Sequence, residues 1–262
     1  MDITSFKIFW ALCYKEMVVF RSDYFRVLIN SLFFTVALLI PLMFFLPMLG
    51  IRDDYAQFML PAQAMSWGMF DIMANATSFI SDIVGDKVIE HELSLPISQW
   101  AIFVKIALAN AYRSFVISIF IIPTGSIVLY LGKGFIFSQI DIPKMILMLV
   151  LTNLCFGFLG LFAASYMKKV SDIRNVWMRV IFPMWWIGAF NTSWATIFEG
   201  APKLAVVLLL NPIVYMAEGI RVATLGQEGF INYWICVGVL LIFTTFFGII
   251  AVLRFKKRLD CI

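Results

Sequence analysis

The sequence predicts an all-α integral membrane protein, and three observations lead to that prediction. Hydrophobic residues make up 62% of the 262 residues and charged residues only 14%, whereas an ordinary soluble domain has about 25% charged residues. Apolar runs of about 20 residues recur along the chain, which is long enough for a helix to cross the hydrocarbon core of a bilayer. The runs lack the period-two polarity that is typical of strands in a membrane β-barrel.

Residues 1–26 predict an amphipathic helix that lies in the membrane interface. Aromatic and apolar side chains recur at three- and four-residue spacing from Phe6 to Tyr24. Lys7 and Lys15 lie off this stripe, where they face lipid head groups. The segment is interpreted either as an anchor or as an element that grips a partner, and the anchor is the favoured interpretation.

Six membrane spans are predicted after this segment. Each is an apolar run of helical length, and the spans are connected by turn-forming or charged residues. The predicted spans cover residues 27–49, 57–81, 101–131, 142–167, 180–198 and 231–253.

The distribution of lysine and arginine predicts the orientation of the chain. Most of them fall before the first span, after the fourth span and at the C-terminus, and Lys87 lies between the second and third spans. By the positive-inside rule, both termini and residues 82–98 are cytoplasmic. The pI of about 8.9 is therefore attributed to topology and to contact with anionic lipids. Nucleic-acid binding is not expected.

Residues 82–98 form a polar segment between two long apolar runs, and they predict a cytoplasmic helix that ends at Pro96. The segment contains Glu90, Glu92 and His91, the only histidine of the chain. The histidine is interpreted as a polar contact residue in preference to a pH-sensitive group. Its geometry with the two carboxylates does not favour a metal site, and no metal is predicted.

Polar residues inside the predicted second and third spans are expected to pair or to line a pathway, because lipid does not solvate them. They include Asp71 and Asn75 in the second span and Arg113 in the third. Asp71 and Arg113 lie at similar depth, roughly 15–18 Å from the cytoplasmic ends of their helices. We predict that these two pair, either to fix the helix register or to line a pathway.

Residues 199–230 predict a short external re-entrant hairpin before the last span. Asn211 followed by Pro212 is a typical start of a helix, and Glu218 lies one turn before Arg221. Together with Tyr215, these residues are interpreted either as an external gate or as a structural cap.

Two local patterns resemble those of a known family. Residues 89–98, IEHELSLPIS, are similar to (L/I)-E-x-L-L-x-x-P-(I/V)-S, and residues 210–226 to L-N-P-x-x-Y-x-x-E-G-x-R…L-G. Both patterns belong to the permease subunits of ATP-binding-cassette (ABC) exporters of the type-2 permease family, and the resemblance covers essentially the whole chain as one transmembrane domain. Glu92 departs from the pattern, because the family usually has a leucine there.

The resemblance implies a permease that dimerises, binds two cytoplasmic nucleotide-binding subunits and exports an amphipathic substrate. It further implies that Glu90, His91, Glu92 and Pro96 contact the ATPase. The sequence contains no G-x-x-x-x-G-K-(S/T) loop, so the chain is expected to be a transport subunit and not an enzyme. It needs no cofactor of its own, because ATP and magnesium bind to the partner.

The expected function is export of a lipid or a drug-like hydrophobic compound from the cytoplasm or inner leaflet of a bacterial cytoplasmic membrane. The expected assembly is a homodimer in contact with membrane lipids. An exporter of a lipid-linked polysaccharide is the alternative within the same family. An ion-coupled secondary transporter is less favoured, because the sequence shows no repeated halves. A membrane anchor that recruits an ATPase without transport is the third alternative.

Overall fold

The computed structural model describes residues 3–84, 88–137, 139–167 and 169–259. Some side chains within its helices, among them those of Asn75 and Glu90, lie outside the description. The described part of the chain is 86% helical and has no strand, which confirms the all-α prediction. The helices are, in chain order, α1 (Ile3–Ile40), α2 (Leu46–Met48), α3 (Tyr55–Val84), α4 (Val88–Leu93), α5 (Gln99–Lys133), α6 (Ile142–Tyr166), α7 (Val170–Val176), α8 (Phe182–Trp185), α9 (Trp194–Gly200), α10 (Pro202–Leu208), α11 (Pro212–Leu225) and α12 (Tyr233–Leu259).

Helix α1 is continuous across the boundary that was predicted between the interfacial segment 1–26 and the first span. Neither proline nor glycine occurs between Ile3 and Ile40, so nothing in the local sequence breaks the helix. The first disturbance is Pro41, which begins a π-helical turn over Pro41–Phe45. Because proline has no N–H to donate, the hydrogen-bond pattern changes there from that of an α-helix to that of a π-helix.

Four helical segments among the described residues are long and apolar enough to cross a membrane. They are Ser5–Met48, Gln99–Lys133, Ile142–Tyr166 and Tyr233–Lys257. A fifth is present if α10 and α11, which meet at 96°, are one broken span. The chain is therefore an integral membrane protein by length and composition, and the number of six spans stays a prediction. Helix α3, the predicted second span, has the required length but carries Gln63 and Asp71, which lower its hydropathy.

Residues 180–198, the predicted fifth span, do not form one helix, because the helical path that begins at Val170 ends at Phe190. Helices α7 and α8 are joined by a π-helical turn, and a second such turn, Trp186–Phe190, ends the helical path. Within that turn Gly188 and Ala189 leave helical geometry, and Ala189 has φ 59°, a conformation that is uncommon for residues with a side chain. Helices α9 and α10 then form a short hairpin.

Helix α6 lies at the centre of the bundle and packs against α3, α5, α11 and α12. It approaches α5 closely at Gly157, where a Cβ atom would lie 2.4 Å from the carbonyl oxygen of Ala107. The absence of a side chain at Gly157 therefore sets the distance between the two helices, as small residues commonly do in membrane bundles.

Gly157→Ala is expected to destabilise the bundle by about 1–3 kcal/mol, because the new methyl group has to push against the backbone of α5. Gly238→Ala on α12 is the matched control, since a Cβ atom there meets no heavy atom within 4 Å. Thermal unfolding of the two variants in detergent measures the difference. Equal stability of the two variants would contradict the packing described here.

Candidate functional sites

Arg221 is completely buried and caps the broken helix that ends at Phe190. Its Nη1 atom donates to the carbonyl oxygens of Ala189 at 2.6 Å and Thr192 at 3.3 Å, and Nη2 donates to that of Phe190 at 2.5 Å. The guanidinium also lies 3.9 Å above the ring of Phe58 on α3. Carbonyl groups at the end of a helix have no partner within the helix, so Arg221 satisfies those that the break leaves open.

Glu218 is equally buried and binds two backbone N–H groups from different parts of the chain. Its Oε1 atom accepts from the N–H of Trp194, the first residue of α9, at 3.0 Å, and Oε2 accepts from that of Ile231 at 3.0 Å. The carboxylate lies 3.6 Å from Nη1 of Arg221. The two charges on α11 therefore connect the end of the broken helix, the start of α9 and the segment before α12.

The start of α11 follows the prediction from the sequence. The side chain of Asn211 accepts from the N–H of Ile213 at 3.1 Å, and Pro212 is the first helical residue. Asn211 also donates to the carbonyl oxygen of Met184 at 2.6 Å, and Tyr215 donates to that of Leu209 at 2.9 Å.

The predicted gate residues Asn211, Pro212, Tyr215, Glu218 and Arg221 are all buried. Where they make hydrogen bonds in the structure, their partners are backbone groups of the same chain. The sequence allowed two interpretations of these residues, an external gate and a structural cap. The contacts fit the structural cap.

The predicted coupling segment contains α4, a helix of six residues. His91 and Pro96 are exposed, and the side chain of Glu90 lies outside the described residues. Glu92 is only 3% exposed, which corrects its expected place in a groove of the partner. Its Oε2 atom accepts from Nζ of Lys105 at 2.7 Å, and Oε1 accepts from Nζ of Lys15 at 3.3 Å. Glu92 therefore faces into the permease.

Lys105 is a buried residue that the sequence analysis missed. Its side chain is 3% exposed, and Nζ donates to Oε1 of Glu16 at 3.1 Å in addition to Glu92. The signal in the sequence was a lysine within the apolar third span, which needs a carboxylate nearby. Glu16 lies on α1, Glu92 on α4 and Lys105 on α5, so the ion pairs join three helices.

Asp71 on α3 accepts a hydrogen bond from Ser114 on α5 at 2.8 Å. The neighbouring Arg113 has its guanidinium 5.3 Å from the centre of the Phe20 ring on α1. The two helices pack together as the prediction required, and the ion pair between Asp71 and Arg113 stays a prediction. The side chain of Asn75 lies outside the described residues.

A cavity of about 220 Å³ opens between α1, α3, α4 and α5. Polar and charged side chains line much of it, namely those of Glu16, Ser78, Glu92, Lys105, Asn110 and Arg113. A second crevice, of about 270 Å³, lies between α1, α5 and α6 and is almost entirely apolar, with Phe9, Trp10, Met17 and Phe115 in its walls. The amphipathic N-terminal part of α1 thus borders one polar and one apolar space.

Several buried polar atoms in the middle of the bundle have no hydrogen-bond partner among the described residues. They belong to Gln63 and Trp67 on α3, Ser118 on α5, and Thr152 and Asn153 on α6. The sequence analysis did not select these residues. Polar groups of this kind inside a membrane bundle commonly mark a pathway or a site. No group of three or more His, Cys, Asp or Glu residues that would hold a metal ion occurs in the described ranges.

The helices of membrane-crossing length define the chain as an integral membrane protein. The sequence model of the family described as ABC-2 type transporter matches residues 7–225. The chain belongs to this family, which confirms the resemblance found in the sequence. No curated protein matches the sequence significantly. The chain is therefore a membrane subunit of an ABC-type transporter, and such subunits normally pair with an ABC ATPase.

Arg221→Met is expected to destabilise the protein by about 3–5 kcal/mol, because it removes the donor to the carbonyl groups of Ala189, Phe190 and Thr192 and the cation beside the buried carboxylate of Glu218. Arg26→Met is the matched control, since that arginine is 73% exposed and its loss is expected to change stability by about 0.5 kcal/mol or less. Thermal unfolding of the purified variants measures both. Similar unfolding temperatures would refute the role of Arg221 as a cap.

Proposed function

We propose that this chain is the transmembrane subunit of an ATP-driven ABC exporter that moves an amphipathic or hydrophobic substrate, a lipid or drug-like compound. The substrate leaves from the cytoplasm or the inner leaflet. The observation that carries the proposal is the arrangement of α4, which presents His91 to solvent while Ile89 and Glu92 on the same short helix are buried. A helix held in this way offers a partner an exposed face and connects that partner to the bundle.

The proposed partner is a cytoplasmic nucleotide-binding subunit that supplies ATP and magnesium. The sequence has no phosphate-binding loop of its own. The exposed residues His91 and Pro96, with Glu90, form the proposed contact, and Glu92 is reassigned to the interior. Charges at the rim of such a contact generally affect association rate and register.

The proposed orientation places both termini and α4 in the cytoplasm of a bacterium, with the chain in the inner membrane. The excess of lysine and arginine on that side supports it. The cap around Arg221 then lies on the external side.

The apolar crevice between α1, α5 and α6 supports a hydrophobic substrate. Aromatic side chains and the sulfur of Met17 line it, and such groups adapt to acyl chains or flat drug-like molecules. The buried polar atoms of Gln63 and Asn153 support a pathway for a more polar head group. A pathway with both apolar and polar walls matches an amphipathic compound.

We further propose that the transporter is a homodimer. Helix α1 exposes a large apolar face, in which Phe25 is 72% and Phe33 75% exposed. Faces of this size contact lipid or a second copy of the chain. The family resemblance favours a second copy.

The test is reconstitution of the chain in vesicles with its cognate ABC ATPase. We expect a stable complex whose ATP turnover changes when the permease is present. Glu90→Lys should weaken the association about tenfold, because it reverses a charge at the proposed contact. Glu228→Lys is the matched control at the opposite end of the bundle. A wild-type chain that neither binds the ATPase nor alters its turnover would overturn the proposal.

A further inference from the structure

Glu92 is a charged residue in a buried position on α4. Its side chain is 4% exposed, and a carboxylate removed from water is strongly destabilising unless a cation and hydrogen bonds compensate it. Lys105 supplies that compensation at 2.7 Å. The buried carboxylate of Glu92 is therefore matched by a cation 13 positions later, on another helix.

The cluster is balanced in charge and extends over three helices. Lys105 contacts Glu92 and Glu16, and Glu92 contacts Lys15. Of these four residues, Lys105 and Glu92 are deeply buried, whereas Glu16 is 33% and Lys15 52% exposed in their side chains. The bond between Lys105 and Glu92 is thus the one that water screens least.

Helix α4 depends on such contacts for its position. It has six residues, and isolated helices of that length do not persist in water. Ile89 and Leu93 provide its apolar contacts with the bundle. The ion pair adds a fixed connection to α5, and Glu16 extends the same connection to α1.

We propose that Lys105 is a positioning residue for energy coupling: it holds α4 against α1 and α5, so that displacement of α4 moves both membrane helices. This role rests on the proposed function. In this role Lys105 acts through Glu92 and Glu16, and it needs no contact of its own with nucleotide or substrate. A buried ion pair suits this task, because its energy falls steeply when its geometry is disturbed.

The first measurement needs no partner subunit. Hydrogen exchange is followed in the purified chain and in the variant Lys105→Met. The variant is expected to exchange the backbone amides of α4 at least tenfold faster, while the amides of α11 keep their protection. Lys203→Met, which removes an exposed lysine of α10, is the control and should leave α4 unchanged. Unchanged exchange in α4 of Lys105→Met would overturn the proposal.

The second measurement follows coupling in the assembled transporter. A fluorophore on Leu131→Cys, in a Cys261→Ser background, reports ATP-dependent movement at the far end of α5, where Leu131 is 77% exposed. In Lys105→Met and in Glu92→Leu the fluorescence change should fall at least fivefold while ATP hydrolysis stays within twofold of wild type. Lys105→Arg, which keeps the charge, should retain most of the change.

The double variant Glu92→Leu/Lys105→Met separates coupling from folding. It removes both buried charges, so we expect a yield within twofold of wild type, even where a single variant fails to fold. Its fluorescence change should stay at least fivefold below that of wild type, because the ion pair that connects α4 to α5 is absent. A double variant with the yield and the fluorescence change of wild type would overturn the proposal. If wild type shows no ATP-dependent change, the proposed function fails, and hydrogen exchange still decides the role of Lys105.

Discussion

The hydrogen bonds of the buried guanidinium of Arg221 are the interaction on which the arrangement of α8 to α12 depends. The helical path ends at Phe190, where Ala189 and Phe190 are buried, so water is not available to satisfy their carbonyl groups. Arg221 donates hydrogen bonds to three carbonyl groups at and after the break. Glu218, one turn earlier on α11, accepts from the N–H of Trp194 at the start of α9 and from that of Ile231 before α12. Without this pair the break would expose unsatisfied backbone groups, so α8 to α12 could not keep their present arrangement.

Charge performs a different task at the other end of the bundle. Arg221 and Glu218 bond to backbone groups and fix an irregular part of the chain. At the proposed cytoplasmic end, Glu92 and Lys105 join side chain to side chain, and they connect a short helix to two long ones. The first arrangement suits a rigid support, whereas the second suits a connection between elements that move together.

The sequence predicted the features that follow from local rules. The start of α11 at Asn211 and Pro212, the helical class and the family were all predicted correctly. The break at Gly188 was missed, because its causes are distant in sequence: a Cβ atom there would meet Ile213 at 2.8 Å, and Arg221 caps the carbonyl groups that follow. The inward orientation of Glu92 was missed for the same reason, since its partner Lys105 lies on another helix. The amphipathic pattern of residues 1–26 predicts a separate interfacial helix, but no proline or glycine separates it from the first span, so α1 is continuous.

The central claim is that α4 joins this permease to an ATPase, and cross-linking tests it most directly. A photoreactive amino acid is placed at position 91, on the exposed face of α4, and at position 228, in the exposed turn before α12. In cells that make both subunits, the account predicts a cross-link to the ABC ATPase from position 91 and none from position 228. A cross-link from position 228, or none from position 91, would contradict the account.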